Sequence, residues 1–158
     1  MREILNQDIF SVASGEYEAI CIPTNGVCKK DGTAVMGKGI AKDANELYGL
    51  SEKLGKYIRK YGNRAFDMGL YSAYGQDEHH VLTFPIKNKW WDSSDINIIK
   101  KSADEVVRIC NARKIKRCYL PMVGCIEGKL DYQGIVRPVL ANALDDRFIV
   151  VVKTNVKH

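Results

Sequence analysis

The chain is poor in the residues that build metal centres. It has three histidines, two of them adjacent (His79, His80) and the third at position 158. No zinc site of ordinary ligand spacing follows from these, and neither a metal nor a cofactor is expected. Five cysteines, at 21, 28, 110, 118 and 125, form an odd set without a Cys-x-x-Cys pair. That argues against a disulfide framework and for small buried thiols in a reducing compartment. No apolar run reaches membrane-spanning length, and MREILNQDIF lacks the long apolar segment of a secretory leader. A cytoplasmic protein without a membrane partner is expected. No repeat, linker or low-complexity tract is visible, and 158 residues suit one domain with a real core. A single monomeric domain over 1–158 is therefore expected. The net charge of +5 suits a polyanionic partner such as a nucleotide or nucleic acid, without requiring one.

Strand-like apolar runs alternate with helix-like ones, which predicts an α/β fold with a central mixed, mostly parallel sheet of about six strands between helical layers. The strands read over Arg2–Asn6, Glu18–Pro23, Gly69–Tyr74, Val81–Pro85, Arg117–Met122 and Phe148–Val152. The helices read over Gly39–Tyr48, Ser51–Tyr61, Ser94–Lys114 and Gln133–Leu144. Ile96, Ile99, Ala103, Val106 and Cys110 give the third helix one apolar stripe, with Ser93 or Ser94 as its cap. Pro138 falls inside the fourth pattern, so that helix is kinked or starts later. His79 and His80 read as a solvated turn after Gln76-Asp77-Glu78.

Residues 32 to 39, GTAVMGKG, are one residue away from the triphosphate-binding pattern G-x-x-x-x-G-K-[ST]. Gly39 stands where that loop needs a hydroxyl on Mg²⁺, and the apolar runs ending at Pro23, Pro85, Val123 and Val152 supply no terminal Asp. The triphosphate reading fails. What survives is a glycine loop that opens a helix, whose backbone amides and dipole favour an anion. Two further strand ends carry unusual residues: Ile86-Lys87-Asn88-Lys89-Trp90-Trp91 after one, and Gly124-Cys125-Ile126-Glu127-Gly128 after another. Ligands of such sheets bind beyond the carboxyl ends of strands, so the three loops are candidates to converge on one anion.

Taken in order, these segments resemble a macrodomain, the ADP-ribose-binding fold. Val35-Met36-Gly37-Lys38-Gly39-Ile40-Ala41 matches the V-M-G-K-G-I-A loop of the branch that holds DNA- and protein-ADP-ribosyl hydrolases. Gln7-Asp8-Ile9-Phe10 is similar to the family's Gly-Asp-Ile segment, with Gln7 for glycine, and Ile22-Pro23-Thr24-Asn25-Gly26 to its asparagine turn. Phe84-Pro85-Ile86-Lys87 resembles the F-P-T-K segment, with Ile86 for threonine. Pro121 to Tyr132 resembles the second phosphate loop, with Ile126 where glycine is usual and Gly128 where protein-directed hydrolases carry an aspartate. The resemblance implies adenine near Asp8, distal ribose near Asn25 and Lys87, and a diphosphate between the two glycine loops, with Ile9, Thr24, Met36, Gly37, Lys38, Gly39, Ile40 and Val123 through Gly128 as further ligand-binding residues. It implies Lys87 as a nucleophile forming a Schiff base. An amine attacks only when unprotonated.

The implied partner is ADP-ribose or an ADP-ribosylated substrate, with a nucleic acid favoured by the charge and by Gly128. A binding module without turnover and an ADP-ribose 1″-phosphate phosphatase are the alternatives. Glu127 and Asp131 are the fallback acid-base groups. Cys125 has no histidine in a comparable loop to activate it and reads as a small loop residue. Gly37→Glu and Gly124→Glu are each expected to block the diphosphate without unfolding the chain.

Overall fold

The computed structural model describes residues 1–126 and 130–154. Six strands, β1 (Arg2–Leu5), β2 (Glu18–Thr24), β3 (Asp67–Tyr71), β4 (His79–Pro85), β5 (Arg117–Pro121) and β6 (Phe148–Val152), form one sheet. Four α-helices accompany them: α1 (Gly39–Tyr48), α2 (Ser51–Tyr61), α3 (Ile96–Arg113) and α4 (Arg137–Ala143). The strand order is β1-β6-β5-β2-β4-β3, with every neighbour parallel except the antiparallel β3–β4 pair.

Both faces of the sheet are covered, and the sequence alternation decides which residue meets which layer. Ala19 and Cys21 of β2, with Phe148 and Val150 of β6, pack with Ile99, Val106 and Leu140 of α3 and α4. Ile20 and Ile22, with Ile149 and Val151, pack with Ala44 and Leu54 of α1 and α2. Each fully buried aliphatic side chain contributes about 1.5–3 kcal/mol, so the two interfaces hold the sheet edges in fixed relation. This is a three-layer α/β/α fold.

Several boundaries differ from the sequence reading. β3 lies earlier, at Asp67–Tyr71, where it can pair with β4. The α3 cap is Asp95, whose carboxylate accepts from the Asn97 amide at 2.8 Å, rather than Ser93 or Ser94. Before the last helix stands a π-helical turn, Tyr132–Val136, capped by Asp131. Pro138 then falls in the first turn of α4, where the chain passes from π-helical to α-helical geometry. The solvated turn at His79 and His80 is corrected outright. Both residues open β4, His79 is fully buried, and His80 Nδ1 lies 3.1 Å from the Asp67 carboxylate of β3. Cross-strand pairing there outweighs the polar run before it.

Candidate functional site

Because β2, β4 and β5 lie side by side and parallel, their carboxyl ends leave the sheet at one edge. The chain after β4 is fixed by its backbone. The Ile86 amide donates to Thr24 O at 3.0 Å, Asp95 N donates to Ile86 O at 2.8 Å, and Gly26 N donates to Asn88 O at 2.8 Å. Asn63 Nδ2 donates to Lys87 O at 2.9 Å. Ile86 is buried, so the half-buried Lys87 leaves a rigid stem.

The glycine loop is braced in the same way. Asn25 Nδ2 donates to Val35 O at 3.1 Å, while its Oδ1 accepts from Val27 N at 2.9 Å. One N–H and one acceptor lone pair remain free for a ligand. The insertion that precedes the loop closes on itself through a Cys28–Ala34 bridge and lies on α2. Gly55 of α2 has no room for a side chain, since a Cβ there would run into Gly32 O.

Gly39 begins α1 with φ of 57°, in the left-handed region. That explains the glycine found where a triphosphate loop has Ser or Thr: a β-carbon would be strained there. Lys38 precedes the helix with extended backbone and an exposed side chain, and no side chain caps the first turn among the described residues. The first-turn amides are left for a ligand.

A cavity of about 750 Å³ opens along this edge. Thr24, Asn25, Met36, Gly37, Lys38, Gly39, Ile40, Lys87, Gly124 and Ile126 all line it. A neighbouring cavity of about 490 Å³ contains Asp8 and Ile9 and shares Ile40, Pro121, Met122 and Ile126 with the first. The two form one elongated trough. Asp8 is exposed, and its Oδ1 also accepts from the Phe10 amide at 2.9 Å, so the carboxylate is held in a fixed turn.

The remaining residues of the second phosphate loop divide. Val123 is fully buried and does not line the trough. The Cys125 thiol donates to Val123 O at 3.4 Å, and burial, then the Asp131 charge, push its pKa up to about 12. Such a thiol is no nucleophile near neutral pH. Asp131 Oδ2 accepts from Gly134 N at 3.2 Å and caps the π-helical turn, which makes it a structural acceptor. Glu127 and Gly128 lie outside the described residues. Gly124 needs a correction. It has φ of 77°, and an added Cβ would sit 2.7 Å from Ile99 Cδ1 and 3.2 Å from Ser94 Cβ. Gly124→Glu would therefore disturb the α3 packing, whereas a Cβ on the exposed Gly37 meets no atom within 4 Å.

Sequence reasoning passed over Asp92, and gave Ser93 only a capping role, yet both stand beside Lys87 in the cavity wall. Their only signal was nearness to Lys87 in a loop of polar residues. Trp90 and Trp91 both line the cavity, 49% and 59% exposed, edge-on to each other with ring centroids 5.2 Å apart.

No family model and no curated protein matches the chain. Solved structures do. The macrodomain of Mycobacterium tuberculosis DarG superposes with a TM-score of 0.72 at 21% identity, covering 95% of this chain and 97% of that one. Thermosipho africanus DarTG, solved in complex with ADP-ribose, gives 0.74 at 22% identity over 99% of this chain, which spans 43% of that longer one. A macrodomain protein from Streptomyces coelicolor gives 0.64 at 14% identity, over 96% and 97% of the two chains. At such identities the likeness concerns the fold. This chain has the macrodomain fold.

Proposed function

We propose that the protein binds ADP-ribose along the trough and releases it from a modified partner, as an ADP-ribosyl hydrolase. The observation that carries this reading is the joint lining of one cavity by the braced glycine loop, Asn25, Gly124 and Lys87. The shared fold with a DarTG that was solved holding ADP-ribose supports it. Adenine lies in the Asp8 cavity, where the free carboxylate oxygen accepts its amino group. The diphosphate lies between the amides that open α1 and the Gly124–Ile126 turn. The distal ribose reaches Asn25 and Lys87.

In the reaction the unprotonated Lys87 amine attacks the anomeric carbon as the ring oxygen leaves that carbon and takes a proton. The attached group then departs with a proton, leaving a Schiff base to Lys87. Water adds to the imine, the amine is expelled, and the aldehyde recloses to ADP-ribose. The balance is one water consumed per bond broken.

A nucleic-acid substrate is favoured over a protein by the charge of +5 and by the aromatic pair at the rim. Lys89 Nζ stands 5.6 Å from the Trp91 ring centroid, and exposed indole beside a cation is a surface on which a base can stack.

The test presents ADP-ribosylated DNA, ADP-ribosylated protein and ADP-ribose 1″-phosphate in parallel. ADP-ribose released from DNA is the expected outcome. Lys87→Ala should lose nearly all turnover and keep ADP-ribose affinity within about threefold, since a nucleophile acts only in the transition state. Lys89→Ala removes a neighbouring charge but no nucleophile, so it should keep its turnover at saturating substrate, with any loss confined to KM for DNA. Borohydride should trap an adduct on the wild type and none on the Lys87 variant. Near wild-type turnover by Lys87→Ala would remove the lysine mechanism. Binding without turnover, or release of phosphate, would favour the module or the phosphatase.

A further inference from the structure

Lys87 borders a second cavity, of about 590 Å³, whose lining includes no residue of the glycine loop. Lys87, Asp92 and Ser93 form a wall common to both. We propose that this second cavity receives the group displaced from the ribose, and that it selects a flat group that is uncharged or cationic. The inference rests on the function proposed above. A nucleophile must stand where sugar and leaving group meet, and Lys87 is the ionisable amine shared by the two spaces among the described residues.

The chemistry of the walls indicates what fits. Ile96, Ile98, Leu130 and Ile135 give the cavity an apolar side, and Ile135 is 43% exposed. A planar ring or amide can lie against such a surface. The polar side carries two carboxylates, Asp92 and Asp95, against the one amine of Lys87. Asp95 also answers the positive end of α3, because its carboxylate already holds the Asn97 amide. The helix end therefore calls for no anionic ligand, and a phosphate here would face two carboxylates. Ser94 adds a buried hydroxyl with no hydrogen-bond partner among the described residues.

Two probes place different groups on the same anomeric carbon: NAD⁺ carries a flat cationic ring, and ADP-ribose 1″-phosphate carries a dianion. Calorimetry with both, and with ADP-ribose itself, tests the proposal without requiring turnover. NAD⁺ should bind about as well as ADP-ribose, and the 1″-phosphate about tenfold more weakly, the scale of a like-charge penalty at a partly solvated site. Ile98→Ala combined with Ile135→Ala should weaken NAD⁺ at least about fivefold and leave ADP-ribose unchanged. Asp95→Asn, which retains an acceptor for the helix cap, should recover part of the loss for the 1″-phosphate. Equal affinity for NAD⁺ and the 1″-phosphate, or variants that move all three ligands alike, would overturn the leaving-group assignment while the ADP-ribose site stands. No binding of ADP-ribose itself would overturn both.

Discussion

Asp8 shows how one carboxylate can hold a turn and still keep an oxygen free for a ligand. Its Oδ1 fixes the turn into Phe10, and in the function proposed above the second oxygen takes the adenine amino group. Asp8→Asn keeps the turn acceptor and removes the charge, so it separates the two duties. ADP-ribose binding should weaken by about 1–3 kcal/mol, the cost of losing a hydrogen bond to a charged acceptor. Ribose 5-phosphate, which has no adenine, should bind both proteins alike. Equal losses for both ligands would mean that Asp8 acts through the fold. Gly37 and Gly124 teach a related lesson. Both glycines read as phosphate contacts in the sequence, but only Gly37 has open space around it. Gly124 is required first by its own backbone and by Ile99, so substitution there reports on packing.

At the scale of the element, the glycine loop depends on a residue outside it. Asn25 joins the end of β2 to Val35, and its amide also closes the Val27 turn. Asn25→Ala removes both bonds and should release the loop. Hydrogen exchange should speed up at Val27 and across Met36–Gly39, and ADP-ribose affinity should fall by more than about tenfold. Unchanged exchange across Met36–Gly39 would show that the loop holds its shape by other means. Three elements were fully legible beforehand: α1 and α2, whose apolar residues recur at helical spacing and whose ends fall before Gly49 and Gly62, and β6, an unbroken apolar run. The π-helical turn was not legible. Its period matches neither template; Asp131 caps it, and the Tyr132 hydroxyl donates to Glu3 Oε2 at 2.6 Å, from 129 positions away in sequence.

At the scale of the molecule, the sheet separates function from one of its stability switches. The trough lies at the carboxyl ends of the strands, while His79 begins β4 at the opposite end. Burial lowers its pKa; the Asp77 carbonyl and Glu18 oppose the shift, and His80 adds to it. The folded form thus binds a proton less readily than the unfolded chain, whose histidine titrates near about 6.5. The contribution is fully present above that value and is lost as pH falls towards the lowered folded pKa. Denaturant midpoints should drop between about pH 7 and pH 5. A His79→Leu variant should show a shallower drop over this window, with ADP-ribose affinity unaffected while the chain stays folded. Equal slopes would mean that other groups set the acid limb.

The parallel strands and the loops that follow them were legible because buried strands read as apolar runs and the glycine loop has its own spacing. Convergence of three loops was an expectation that the sequence could not place, because it depends on which strand ends become neighbours. β2 lies between β4 and β5, and only that order brings Asn25, Lys87 and Gly124 to one cavity.

The central claim is that the amides opening α1 hold a diphosphate, and one titration tests it most directly. ADP-ribose is titrated into the wild type and into Gly37→Glu, with thermal unfolding recorded for both. Gly37 is exposed and has room for a side chain, so the variant should melt with the wild type. A carboxylate placed among those amides should occupy and repel the diphosphate site, and binding should disappear. A wild type that takes up no ADP-ribose, or a folded Gly37→Glu that binds it with undiminished affinity, would contradict the account.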